Sequence, residues 1–237
     1  MPVFFDGIND NLMTVQDAAS TAIDRNITTV AGFVIQSNQP TDQQVAFLVS
    51  NAQSPNGTIF KGMNTDVPTT SGFRFRFHHR WTDKAMSWRS NSDFSTQTWY
   101  QFVATYDASL TTNDPTMYVN NASVGIVQVG TNPTGTRSSG FDTAICGISE
   151  GSLANYLNGT LAFLCLESAI WTAAQINRHY WYGTPGGSVD LVYPILTSDY
   201  SNKGTVSNAP LVANNGPITV SSLTNAHKGF VLLRSCT

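Results

Sequence analysis

Charge is what this sequence has least of. Charged residues fill 11% of its 237 positions, against a usual value of about 25%. Lys and Glu together number six, whereas Thr, Ser and Asn number 71. The net charge of −3 indicates no bulk attraction to nucleic acid. Strong helix formers are few, which favours strands and turns. No apolar run reaches the ~18 residues of a membrane helix, so no membrane partner is expected. The first residues do not show the charged, apolar and small-residue segments of a secretory signal. Cysteine is scarce as well. Cys146, Cys165 and Cys236 are too few for a disulfide framework, are odd in number, and lack zinc-site spacing. Cys146 and Cys165 stand in apolar runs and read as core. The expectation is a protein made in a reducing cytoplasm, or assembled there into something larger.

What the sequence has in quantity is strand signal. The segments "TTVAGFVIQ" (28–36), "VAFLVS" (45–50), "GTIFKG" (57–62), "GFRFRFHHRW" (72–81) and "WYQFVATYD" (99–107) are β-branched, aromatic or alternating. So are "TMYVNNA" (116–122), "TAICGI" (143–148), "GTLAFLCLE" (159–167), "DLVYPI" (190–195) and "GFVLLR" (229–234). Asn56-Gly57 and Asn158-Gly159 are hairpin-type turn pairs. One helix is expected near 172–181: Thr172 is a candidate N-cap, Gln175 completes a capping box, and Gly183 offers a stop. The length suits one all-β unit. The stretch 197–226, rich in Ser, Asn and Gly, reads as a long surface loop or an arm.

Three ordered blocks carry a resemblance. "FFDGINDNLMTV", "WYQFVATYD…DPTMYVNN" and "NYLNGTLAFLCLESAIWTAAQINRHYWYG" resemble the opening strand, central strands and closing strand–helix of laminin-G-like domains in the concanavalin A-like lectin and glucanase superfamily. The likeness spans roughly residues 3–196. It implies an all-β, two-sheet antiparallel jelly-roll sandwich over 1–196. Residues 197–237 have no obvious counterpart in that family and are expected to form a C-terminal extension, a loop or arm returning to a last strand of the same domain. The calcium site of laminin-G domains finds no residue-by-residue counterpart, so neither a metal nor a cofactor is carried over.

Catalytic chemistry finds little to stand on. Glycosidases of this superfamily need two carboxyls about 5–10 Å apart, yet Glu150 and Glu167 are the only Glu residues and neither has an acidic neighbour two or four positions away. "GISEG" (147–151) fits Gly-x-Ser-x-Gly around Ser149, but a further strand follows where a nucleophile elbow needs a helix. Asp6, Asn9, Asp10 and Asn11 supply too few oxygens for a calcium loop and read as a strand-turn-strand opening. Adjacent His78 and His79 point to opposite faces of a strand and cannot share a metal.

Candidate binding residues remain. In "FRFRFHHRW", Arg74, Arg76, His78 and Arg80 share one face, and Phe73, Phe75, Phe77 and His79 the other. The basic stripe is either a contact for an acidic glycan or protein surface, or a solvated outer face. Trp81 and Trp88 flank "TDKAM" and either stack on a ligand or fill the core; Trp99 and Trp171 read as core. With no catalytic constellation, a binding or structural protein is expected. A stand-alone Thr/Ser/Asn-rich sandwich resembles virion proteins of tailed bacteriophages. That resemblance implies a capsid decoration (cement) protein in the virion, assembled in the host cytoplasm. It would bind the major capsid protein or other virion subunits as a homo-oligomer, with a trimer suggested by lattice symmetry, and bind glycans weakly. The alternative is a carbohydrate-binding lectin module of a phage tail or cell surface.

Overall fold

The computed structural model describes residues 3–6, 11–14, 27–51, 58–136, 143–146, 157–187, 191–193, 211–214 and 218–219. Among them the chain forms two antiparallel sheets of eight strands each. The first runs β10 (Ala122–Val124), β9 (Thr116–Val119), β8 (Trp99–Asp107), β3 (Ile27–Gln36), β13 (Asn158–Glu167), β1 (Val3–Asp6) and β16 (Ile218–Thr219), with β14 (Leu191–Tyr193) also on β13. The second runs β11 (Ile126–Val129), β7 (Ala85–Ser90), β6 (Arg74–Arg80), β5 (Thr58–Asp66), β4 (Gln44–Asn51), β12 (Thr143–Cys146), β2 (Asn11–Thr14) and β15 (Leu211–Asn214). The opening stretch therefore crosses from one sheet to the other, since β1 pairs β13 and β2 pairs β12. β15 and β16 each supply an outer strand, one to each sheet. The expected strands at 229–234 and the pairs Asn56-Gly57 and "GISEG" lie outside the described residues.

Alternation on β6 builds the core. Phe73, Phe75 and Phe77 are fully buried, as period-two geometry requires of the inward face. They meet the first sheet directly: Phe75 stacks on Phe102 at 4.9 Å between ring centres, and Phe77 lies 5.8 Å from Tyr106. Trp88 of β7 closes the same layer, 5.0 Å from Tyr106. β7 and β11 were not legible as strands, because "AMSWRS" and "IVQV" are short and partly polar. Asn158-Gly159 is not a turn. Both residues lie in β13, paired with Asp6 and Phe5 of β1. Glycine is needed there because a Cβ at position 159 would come within 2.2 Å of the Ile35 carbonyl oxygen on β3.

The helix α1 (Ala173–Tyr182) begins at a full capping box between Thr172 and Gln175 and ends at Gly183 in the left-handed region, φ 70°. Its inner face carries Ile176 and His179 onto the outer side of the first sheet, beside Ala31, Val103, Cys165 and Trp171. Gln101 of β8 ties this junction together. Its side-chain amide donates to the Ile176 carbonyl and to His179 Nδ1, both at 3.0 Å. Its Oε1 accepts from the Asn121 amide at 2.9 Å. His179 Nε2–H in turn donates to the Phe163 carbonyl at 3.0 Å. Phe163 sits at the bulge of β13 with φ 49°, a conformation costly for a bulky residue. Gly183 is fitted against this ring: a Cβ there would approach Phe163 to 2.4 Å.

This bonding fixes His179 as a neutral ring, and burial pushes its pKa down to about 4 despite the Phe163 carbonyl. Burial, then the Arg76 charge, pushes His78 down to about 3. Unfolded histidines take up protons near pH 6.5, where these two cannot. Their contribution to stability is whole above pH 6.5 and is lost as pH falls toward 4. Thermal melts should show a nearly level midpoint above pH 7 and a steady drop below 6.5, up to about 1.4 kcal/mol per pH unit per group. His179→Gln should melt lower at pH 7 and lose about half of that slope; a pH-independent midpoint would contradict the assignment.

Candidate functional site

The outward face of β5, β6 and β7 holds the predicted basic stripe, and the structure divides it. Arg74 is committed to Asp93 at 2.9 Å. Although burial works to raise it, Asp93 is held well below the usual carboxylate range by the Thr69 and Thr70 amides and by Arg74. Arg74 thus clamps a loop. Arg80 ends β6, and its side chain lies outside the described residues. His78 is buried, and its Nε2 accepts from the Asn64 amide at 3.2 Å. Trp81 and Trp88, read as stacking candidates, are 3% and 0% exposed and offer no ring face to a ligand. Trp88 donates its Nε1–H to Asp114 at 2.7 Å. The reason is register: Trp88 pairs with Phe77 and so shares the inward face. Trp99 and Trp171 are core, as expected. Glu167 accepts the Trp171 Nε1–H and serves as a structural acceptor.

What the stripe brings together is a row across three strands. Asn64 pairs with Arg76, and Arg76 with Arg89, so all three share the outward face. Arg76 donates to Asp66 at 3.1 Å and to Ser87 at 3.0 and 2.7 Å. Burial lowers the Arg76 pKa, Asp66 opposes that, and Arg89 adds to it. Arg89 has no acidic partner among the described residues, and its Nε is buried without an acceptor. Asn64 is 1% exposed, and its Oδ1 has no donor among the described residues. Each buried atom left unbonded costs about 1–3 kcal/mol. Arg89 was missed in the sequence because β7 was not recognised; its spacing from Trp88 was the available signal.

A second polar surface lies on the opposite side of the sandwich. Trp181 is 38% exposed and Tyr182 50%. The indole Nε1–H donates to Asn177 Oδ1 at 3.1 Å, and Asn121 donates to the same oxygen at 3.0 Å. Asn177 and Trp181 are one helical turn apart, on the face away from Ile176 and His179. Asn121 is held by the two-residue turn between β9 and β10, where Asn120 and Asn121 have φ 50° and 65°, the type I′ arrangement. The Gln101 bonds to helix and turn set the distance between them. The i, i+4 spacing of Asn177 and Trp181 is the sequence signal for this pair.

No protein-family pattern matches the sequence, and no curated protein is similar to it at the level of sequence. Among solved structures the chain is similar to the heptameric SAP-like pentraxin of Limulus polyphemus, with TM-score 0.63, 14% identity and coverage of 92% of this chain and 93% of that one. It is also similar to a candidate carbohydrate-binding protein from Bacteroides ovatus, with TM-score 0.61, 14% identity, 93% of this chain and 61% of that one. At such identities the likeness shows the fold. Among the described residues the fold is an all-β, two-sheet antiparallel jelly roll with one short helix.

Breaking the Arg76 pair and relieving the Arg76–Arg89 contact should have opposite effects. Asp66→Asn leaves a largely buried guanidinium unpaired and should cost about 3 kcal/mol. Arg89→Gln removes a like charge from the directly opposite position and should leave the denaturant midpoint unchanged or higher. A large loss in Arg89→Gln would show that Arg89 is structural.

Proposed function

We propose that this chain is a non-enzymatic glycan-binding sandwich whose sugar platform is Trp181 with Asn177 and Asn121. The observation that carries the reading is an exposed indole whose edge is held by a side-chain amide. A fixed aromatic face suits the C–H face of a pyranose, and it binds without first losing rotamer freedom. Asn177 Nδ2 and Asn121 Oδ1 make no bond among the described residues and remain to read hydroxyls. The fold supports this only as a scaffold, because one fold carries many functions.

A glycan array with the full chain tests it. Trp181→Ala should weaken binding at least tenfold, about 1.4 kcal/mol, while stability changes by no more than about 0.5 kcal/mol. An array with no bound glycan, or an unaffected variant, would overturn the reading.

A second reading is virion decoration, in which the same surface contacts neighbouring subunits. Ile170, Trp181 and Tyr182 expose large apolar side chains at both ends of one ten-residue helix. A stable lattice contact would bury above roughly 1,000 Å², so it would extend well past this patch. Light scattering separates the two readings: a trimer that Trp181→Ala dissociates favours decoration, and a monomer that still binds glycans favours the lectin.

A further inference from the structure

We propose that Arg178 makes the Trp181 platform selective for acidic glycans, its guanidinium taking the carboxylate of a sugar acid whose ring lies on the indole. The proposal rests on the glycan reading of Trp181, Asn177 and Asn121, and it names the class of sugar that this surface takes.

Placement comes first. Helix α1 buries Ile176 and His179. At 3.6 residues per turn, the side opposite that pair carries Ala174, Arg178 and Trp181, and all three are exposed. Arg178 and Trp181 are three residues apart, so they are neighbours on the helix surface, with Cβ atoms about 5–6 Å apart. One pyranose with an exocyclic carboxylate covers that separation. Ala174 precedes Arg178 on the same ridge with only a methyl group. Both receiving groups are open to solvent, as a saccharide requires.

The guanidinium is also held. Its Cζ lies 5.9 Å from the centre of the Tyr182 ring, within the range of a cation–π contact. The chain then returns at Gly186, φ 75°, where a Cβ would stand 2.7 Å from Arg178 Nε and 3.0 Å from its Cδ. An aromatic ring and bare backbone together confine the side chain. Part of the rotamer freedom that binding would remove is therefore already gone. Trp181 is steadied in the same way by its bond to Asn177.

Charge supplies the selectivity. Two ion pairs occur among the described residues, and neither uses Arg178. Glu167, on the strand before the helix, accepts from the Trp171 indole instead. Arg178 is thus a fork of five donors with no acidic partner among the described residues. Its planar geometry meets a carboxylate through two parallel bonds. The net charge of −3 gives anions no general attraction to this protein, so a preference for them has to be local. An exposed pair of this kind is worth about threefold to fivefold in affinity, and dissolved salt screens it.

The test is calorimetric titration of the full chain with matched oligosaccharides that end in glucose or glucuronate, mannose or mannuronate, and galactose or galacturonate. A 6-sulfated hexose is the third member of each set. In dilute buffer at least one uronate should bind about threefold to fivefold more tightly than its neutral counterpart, and at about 0.5 M salt that ratio should fall towards one. Arg178→Gln should erase the ratio while neutral binding and the melting curve stay in place, and Arg178→Lys should keep part of it. Trp181→Ala should weaken acidic and neutral members alike. A uronate bound no better than its neutral counterpart, a ratio that survives in Arg178→Gln, or a sulfated member bound more tightly than the uronate would overturn the proposal. If neutral saccharides bind through Trp181 without an acidic preference, the charge selectivity alone fails. If no saccharide binds, or binding ignores Trp181→Ala, the glycan reading fails with it.

Discussion

A strand has two faces, and β6 spends them on opposite tasks. Its Phe75 and Phe77 lock the second sheet to the first through Phe102 and Tyr106, and Phe73 just before it meets Tyr100. Its Arg residues at 74 and 76 are thereby directed outward. A slip of one residue would exchange the two sets, placing guanidiniums in the core. The pairing of β5, β6 and β7 is therefore fixed by the core and inherited by the outer row. The neighbours of Arg76 are consequences of where Phe77 has to be.

The other side of the sandwich depends on neutral groups. Gln101 uses its amide, its Oε1 and its backbone N–H to join β8, α1 and the β9–β10 turn. His179 extends the link to the bulge at Phe163. Fully buried polar side chains are tolerated here because each bonding atom has a partner. The same lattice presents Asn121 and Trp181 to solvent in fixed positions. Cys165 lies in this layer, and burial raises its thiol pKa, so it behaves as a small apolar side chain.

Much of this was legible in the sequence. The alternation of "FRFRFHH" fixed which side of β6 faces inward, and Thr172, Gln175 and Gly183 marked both ends of the helix. Other features depended on contacts far apart in the chain. Asn158-Gly159 carries a turn signature, yet its glycine answers to β3 passing against it. Trp88 stands beside polar residues, and its sequence left a stacking role and a core role open; register with Phe77 buries it. Arg89 acquires meaning only opposite Arg76. Local spacing reports faces and caps; it does not report which strands become neighbours.

The scarcity of charge has a further consequence. Where β3, β4, β5 and β13 meet, the two sheets are joined by amides and a hydroxyl. Thr65 donates to Gln36, Gln36 to Gln44, and the Asn158 backbone to the same Gln44 oxygen. Among the described residues only two ion pairs are found, Arg74 with Asp93 and Arg76 with Asp66, and both are largely shielded from solvent. Screening by dissolved ions acts on exposed charges, and the described residues place little of their cohesion there. Dissolved ions accordingly have little purchase on the bonds that hold the described sheets together.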